Sequence, residues 1–168
     1  MAEHWQTHLA AAIPDAVTVE PLRENKLNCA ARVKALDDAL AAMKGPVILV
    51  AHSAGVMTVA HWARTHRRPI HGALLATPAD LETPLPEGYP TAGQLQANGW
   101  LPIPREPLPF RTLVAASRND PLARFERVLA MAVNWGARCM DLGEVGHLNP
   151  ASGYGVWPMA EDLIDELV

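Results

Sequence analysis

The stretch "PVILVAHSAG", residues 46–55, joins an apolar strand to a turn of small residues that carries a lone hydroxyl. Residues 47–51 show no polar alternation, which is typical of a central parallel strand covered on both faces. A tight turn from such a strand into a helix lifts one side chain to the end of the sheet, and here that side chain is Ser53. The usual pattern is G-x-S-x-G; Ala51 replaces its first glycine and Gly55 keeps the second.

The rest of the chain alternates short apolar segments with helical ones. Apolar residues recur at three- and four-residue steps over residues 28–43, which predicts a helix ended by Gly45 and Pro46. This alternation predicts βαβ units in one α/β domain, residues 1–168: a three-layer sandwich with a mostly parallel sheet of about five strands and little or no cap. The predicted strands are 16–20, 47–51, 71–76, 111–117 and 137–142, and the other predicted helices are 3–13, 54–66, 121–136 and 159–168.

Residues 77–110 interrupt the alternation, because eight of the fifteen prolines fall there. Proline breaks helices and is excluded from interior strands, so this segment is predicted to contain neither. Its length favours an ordered loop or small lid over the mouth of a site. Tyr89 and Trp100 are the candidate residues for a substrate pocket in it, with structural packing as the alternative for Trp100.

Composition excludes several classes of protein. The formal net charge of -4 gives no electrostatic reason to expect nucleic acid or an anionic membrane as a partner. Cys29 and Cys139 are too few for a disulfide framework and lack the spacing of a metal site, which favours a reducing compartment. The N-terminus has no signal-peptide pattern and no apolar run is long enough to span a membrane, so we expect a cytoplasmic protein.

A serine hydroxyl becomes a nucleophile only when a base removes its proton. On this type of fold the reactive residues follow the order Ser, acid, His. Asp120 comes just after the predicted strand 111–117, and His147 lies in a glycine-flanked loop after the last predicted strand, 137–142. Both fall at carboxyl ends of strands, the edge that also carries Ser53. The sequence therefore predicts a Ser53–Asp120–His147 triad, with the backbone N–H of Ala54 as an oxyanion donor.

The competing interpretation of Ser53 and Asp120 is that each only caps the helix after it. The other histidines fit a catalytic base less well. His52 adjoins Ser53 but is expected to point elsewhere on the turn, and His4 precedes every predicted strand. His8 also precedes every predicted strand. The remaining alternatives lie on the helix after Ser53, at the wrong end of a strand, within a strand or in the proline-rich segment: His61, His66, His71, Asp80 and Asp141.

The segments "AHSAG", "SRNDP" and "GHLNPASGYGVWP" together resemble small serine hydrolases of the retinoblastoma-binding-protein-nine type, a cap-poor branch of the α/β-hydrolases. "HWQ" (4–6), "AHWA" (60–63) and "LPF" (108–110) are similar to that family as well. The resemblance covers nearly the whole chain and implies the same three residues as the strand order does. It also implies hydrolysis of esters or related acyl compounds without a cofactor or metal.

One departure from the family concerns the start of the chain. The resemblance implies a further apolar strand and a Pro-Gly loop before "HWQ", and the loop supplies a second oxyanion donor. Here the chain begins almost on "HWQ". We expect one of three alternative arrangements. Residues 16–20 shift inward to pair with residues 47–51, a second copy covers the open edge in a dimer, or the natural protein has an N-terminal strand that this sequence omits. We favour the last.

Two classes of function follow from these patterns. The first is a serine ester hydrolase that acts on a small-molecule ester through an acyl-enzyme. The second is a weak or inactive hydrolase-fold protein that binds a partner and lacks a complete oxyanion hole. A flavodoxin-like cofactor binder shares the architecture but lacks a phosphate-binding loop after its first strand.

Overall fold

Four parallel strands form the sheet at the centre of the molecule, in the order β1-β2-β3-β4. The computed structural model describes residues 3–168. In chain order the elements are α1 (Trp5–Ala12), α2 (Cys29–Ala42), β1 (Ile48–His52), α3 (Ala54–Thr65), β2 (Gly72–Ala76), α4 (Ala92–Ala97), β3 (Arg111–Ala116), α5 (Phe125–Asn134), β4 (Arg138–Asp141), a 3-10 turn (Pro150–Ser152) and α6 (Met159–Asp165). None of the described helices is long and apolar enough to cross a membrane.

Helices cover both faces of the sheet, because successive side chains of a strand point to opposite faces. On β2, Ala73 and Leu75 belong to an apolar cluster shared with α2, α3 and α5. Leu74 and Ala76 belong to a second cluster shared with α1 and α6. All five residues of β2 are buried, which agrees with the uninterrupted apolar sequence of residues 72–76. The predicted α/β three-layer arrangement is confirmed.

The prediction of a strand at residues 16–20 is wrong, so the described sheet has four strands rather than about five. The segment has no regular secondary structure, and Val17 and Val19 are exposed. Pro14 and Pro21 flank it. β-branched residues favour an extended backbone, but a strand also needs a partner strand and a surface to pack on. Because these residues pair with nothing in the sheet, one of the three alternatives, an inward shift of this segment toward β1, does not occur.

The prediction that residues 47–51 form a central strand covered on both faces is wrong for the described residues. β1 is an edge strand there, because it pairs with β2 and with no strand on its other side, and every second residue of it is only half-buried. Helix α1 lies near this edge. The side chain of Gln6 donates a hydrogen bond from Nε2 to the backbone oxygen of Val50, at 3.2 Å. A side chain thus satisfies one of the carbonyl groups that a neighbouring strand would otherwise meet.

The proline-rich segment contains a short helix, α4, so the prediction that it contains no helix is wrong. The gap between Pro90 and Pro102 leaves room for it. Thr91 and Gln94 form a capping box at its start, in which each side chain bonds to the other residue's backbone N–H. The segment packs on the α2, α3 and α5 side of the sheet through Leu81, Leu95, Trp100 and Ile103.

Candidate active site

Ser53 occupies a strained turn between β1 and α3. Its backbone has φ 57° and ψ -126°, a combination that residues with side chains rarely adopt. The Ser53 N–H donates to Ala76 O at 3.1 Å, which ties the turn to the end of β2. The side chain makes no capping bond to α3. The interpretation of Ser53 as a simple helix cap is therefore wrong, and its hydroxyl is left for another partner.

Three side chains that are far apart in the sequence meet at this edge of the sheet. His147 Nε2 lies 2.8 Å from Ser53 Oγ. His147 Nδ1 lies 2.8 Å from Asp120 Oδ2 and 3.0 Å from Oδ1. The side chains of His147 and Asp120 are buried, with 7% and 1% exposed. The structure thus brings all three predicted residues into one hydrogen-bonded chain.

Asp120 has a local bond besides its contact with His147. Its Oδ1 accepts from the backbone N–H of Leu122 at 2.8 Å. It does not cap α5, because the residue at the start of that helix is Arg124. The Leu122 bond orients the carboxylate, while both oxygens face the imidazole.

The geometry fixes which nitrogen of His147 carries the proton. A neutral imidazole has one N–H, and the Asp120 carboxylate can only accept a hydrogen bond. The His147 Nδ1–H therefore donates to Asp120, and His147 Nε2 accepts from the Ser53 hydroxyl. In this arrangement Nε2 can take the hydroxyl proton while the carboxylate stabilises the imidazolium that results.

The loop that carries His147 is held by hydrogen bonds from its backbone N–H groups to nearby side chains. Gly146 has φ +59°, and a Cβ there would lie 2.5 Å from Ser152 Oγ, so the position requires glycine. The Gly146 N–H donates to Asn119 Oδ1 at 2.6 Å, and the His147 N–H donates to Ser152 Oγ at 3.1 Å. Asn149 Oδ1 in turn accepts from the Ser152 hydroxyl at 2.9 Å. These bonds place the imidazole before any substrate arrives.

Ala54 is the first residue of α3, so its N–H has no partner within the helix. It points from the positive end of the helix dipole, which suits a developing negative charge.

The departure from the G-x-S-x-G pattern is sterically small. A Cβ built on Gly55 would lie 3.8 Å from the Cβ of Ala51, which is an ordinary contact.

Two histidines that fitted a catalytic base less well form a row of ring contacts that ends at His147. The ring of His52 is 4.8 Å from that of His147, and the ring of His4 is 4.7 Å from that of His52. Burial lowers the pKa of His52 to about 3, and burial also lowers the pKa of His4. The adjacency of His52 to Ser53 was the available signal. Nothing local in the sequence indicated that His4 would reach the same place.

The structure does not support the predicted substrate pocket. Trp100 is 2% exposed, and its indole N–H donates to the backbone oxygen of Leu27, so it packs in the core between the proline-rich segment and the region before α2. Its prediction as a pocket residue is wrong, and the structural alternative holds. Tyr89 is 48% exposed, on a turn whose backbone bonds to Pro86.

A parallel sheet with helices on both faces and a serine on a strained strand-to-helix turn defines a protein of the α/β-hydrolase type. The chain belongs to the serine hydrolase family, whose model matches residues 1–166. No curated protein matches it.

Solved structures agree with this fold. A protein described as a YdeN-like hydrolase from Pectobacterium atrosepticum is 28% identical, with a TM-score of 0.83 over 99% of this chain and 83% of that one. The ydeN gene product of B. subtilis is 16% identical, with a TM-score of 0.67 over 98% of this chain and 90% of that one. Est1E from Butyrivibrio proteoclasticus, solved with ferulic acid, is 12% identical, with a TM-score of 0.61 over 80% and 66%. At such low identity the last two show the fold alone.

Proposed function

We propose that this protein hydrolyses carboxylic esters or related acyl compounds through an acyl-enzyme formed on Ser53. One observation carries the proposal: His147 Nε2 lies 2.8 Å from Ser53 Oγ while its Nδ1 lies 2.8 Å from the buried Asp120 carboxylate. A base within hydrogen-bond reach of a nucleophile, oriented by a third group, is the signature of an activated serine.

Acylation begins when an ester carbonyl carbon lies against Ser53 Oγ. Oγ forms a bond to that carbon as its proton passes to His147 Nε2, and the Asp120 carboxylate stabilises the imidazolium. The carbonyl oxygen gains a negative charge, which the Ala54 N–H stabilises at the start of α3. When the bond to the alcohol breaks, His147 returns the proton to the leaving oxygen.

Deacylation repeats these steps with water as the nucleophile. His147 Nε2 removes a proton from the water as its oxygen bonds to the acyl carbon. The bond to Ser53 Oγ then breaks, the proton returns to Oγ, and the carboxylic acid leaves. The substrate is a small molecule, and no step requires a metal or cofactor.

The test is reaction with a fluorophosphonate probe, which modifies only an activated serine. We expect the folded protein to bind close to one probe per chain, with the adduct on Ser53 by peptide mass spectrometry. Ser53→Ala should bind none, and His147→Ala should label far more slowly. A folded wild-type chain that neither reacts with the probe nor hydrolyses p-nitrophenyl acetate would overturn the proposal.

The open edge of β1 favours one second candidate, a weak or inactive hydrolase-fold protein that binds a partner. Within residues 3–168 we assign one backbone oxyanion donor, the Ala54 N–H, and loss of one donor costs about 10²–10³ in rate. This candidate predicts tight binding of an acyl compound with no burst of product. Stoichiometric labelling of Ser53 together with turnover of an ester would exclude it.

A further inference from the structure

The backbone carbonyl of His147 is held by two side chains from the neighbouring strand ends. His52 Nε2 lies 2.8 Å from His147 O, and Thr77 Oγ1 lies 3.4 Å from the same oxygen. A carbonyl oxygen only accepts hydrogen bonds and has two lone pairs, so both side chains donate to it. The shorter bond, from His52, is the stronger of the two.

The backbone around this carbonyl lies in unfavourable conformations. Leu148, the next residue, has φ 48°, and Thr77 has φ 40° at the end of β2. Positive φ is uncommon for any residue with a side chain and a real outlier for a β-branched one. Such conformations persist only where surrounding contacts enforce them. The two bonds to His147 O are contacts of this kind.

The surroundings of His52 keep its ring in one orientation. The ring of His4 packs on it edge-on at 4.7 Å, and the ring of Trp5 meets it at 6.0 Å and nearly perpendicular. Burial keeps the pKa of His52 at about 3, so the ring is neutral at ordinary pH and has a single N–H. Because Nε2 faces a carbonyl oxygen, that N–H is on Nε2.

We propose that His52 is a positioning residue for hydrolysis: its Nε2–H, assisted by the Thr77 hydroxyl, anchors the backbone of His147 to the strand end that carries Ser53. His52 directly precedes Ser53, so one end of β1 places the nucleophile through the chain and the base through this bond. Any movement of that strand end then moves both partners together and preserves the 2.8 Å separation of Ser53 Oγ and His147 Nε2. The inference rests on the proposed function.

The test compares His52→Leu, which removes the donor, with His52→Gln, whose amide reaches the position of Nε2. A misplacement of about 1 Å costs about 10²-fold in rate, so we expect kcat of His52→Leu to fall about 10–100-fold with KM within about twofold of wild type. His52→Gln should recover most of that loss. Thr77→Val should lower kcat by a smaller factor. Thr77→Ser keeps the hydroxyl and should have a kcat close to that of wild type.

His61 provides the matched control. Its Nε2 also bonds to a backbone oxygen, that of Trp100, at 3.1 Å, and burial also lowers its pKa, but it lies away from Ser53 on α3. His61→Leu should lower the melting temperature and leave kcat unchanged. If His52→Leu does not fold, His52→Asn takes its place, because that amide is too short to reach His147 O.

Hydrogen exchange gives a readout that does not depend on turnover. Residues 143–149 should exchange faster in His52→Leu and unchanged in His61→Leu. Wild-type kcat in the Leu and Asn variants, or unchanged exchange in this loop, would overturn the role of His52. A wild-type chain without labelling or turnover would instead overturn the proposed function, and the exchange data would still decide whether His52 holds the loop.

Discussion

Two buried carboxylates follow neighbouring strands, and their partners differ in kind. Asp80 comes four residues after β2 ends at Ala76, and Asp120 comes four residues after β3 ends at Ala116. The Asp80 side chain is fully buried, and that of Asp120 is 1% exposed. Asp80 accepts from the guanidinium of Arg127 at 2.7 and 3.1 Å, whereas Asp120 accepts from the imidazole of His147.

The difference shows that the partner decides what a buried carboxylate can do. The hydrogen bonds that Arg127 donates to the carboxylates of Asp80 and Glu82 raise the pKa of Arg127 above its already high value, so this guanidinium keeps its proton. The pair is a permanent clamp between the proline-rich segment and α5. An imidazole, in contrast, can take up a proton and return it within one reaction. Asp120 can therefore serve proton transfer, and Asp80 can only hold the structure together.

The largest expected effect is that of Asp120→Asn on hydrolysis. The amide favours the wrong imidazole tautomer, so we expect kcat to fall about 10⁴-fold with little change in the free energy of unfolding. Ser53→Ala and His147→Ala should have the lowest kcat of the single variants, and their double variant should be hardly slower than either. Ester hydrolysis under saturating substrate measures this. Wild-type activity in Asp120→Asn would remove the distinction between the two carboxylates.

Asp80→Asn should act on stability instead. It leaves Arg127 with a weaker partner, and we expect a loss of about 2–3 kcal/mol in unfolding free energy, less than for a fully buried pair because Arg127 is 37% exposed. Denaturant unfolding measures it. The double variant Asp80→Asn/Arg127→Met should lose less than the sum of the single changes. A 10⁴-fold fall in kcat of folded Asp80→Asn would instead place Asp80 in the chemistry.

The pH dependence of stability sharpens the comparison further. Burial alone would raise the pKa of Asp80, but hydrogen bonds from Arg127 and the Glu82 N–H outweigh it and hold this pKa below the ordinary 3.8. A carboxylate with a lowered folded pKa stabilises the protein above its unfolded pKa and loses that contribution as the pH falls through its folded value.

The stability difference between wild type and Asp80→Asn should therefore be constant above about pH 5 and shrink below about pH 4, by at most about 1.4 kcal/mol per pH unit. Buried histidines such as His52 also lower stability in acid, but they are present in both proteins and cancel in the difference. Unfolding curves from pH 6 to pH 2.5 measure it. A difference independent of pH would show that Asp80 is not an ionised partner of Arg127.

Glu82→Gln should give the smallest effect. Glu82 Oε2 accepts from Arg127 at 2.9 Å and from Arg105 at 2.7 Å, at the outer end of the clamp, where solvent weakens charge interactions. Glutamine keeps an acceptor for the Ile103 N–H, which bonds to Oε1 at 3.1 Å. We expect a loss below about 1 kcal/mol and unchanged hydrolysis. A loss as large as that of Asp80→Asn would mean that the deeper burial of Asp80 does not make its contribution to the free energy of unfolding larger than that of Glu82.

The sequence was sufficient to place Ser53, Asp120 and His147 at one edge, because carboxyl ends of parallel strands meet there and the hydrophobic pattern marks those strands. The helices at α2 and α3 and the strands at β1, β2 and β3 followed from the same patterns. Their signals are local, since each depends on residues within a few positions of one another.

Tertiary structure alone decided the contacts that cross the chain. Residues 16–20 have the composition of a strand but pair with no other strand of the described sheet. Trp100 has a side chain suited to a pocket, but it is packed beside Leu27. The bond between His52 and the His147 carbonyl joins residues 95 positions apart. No local pattern encodes such pairs, because whether a strand is paired, an indole buried or an imidazole nitrogen protonated depends on which distant backbone groups the packing of the sheet and helices brings within reach.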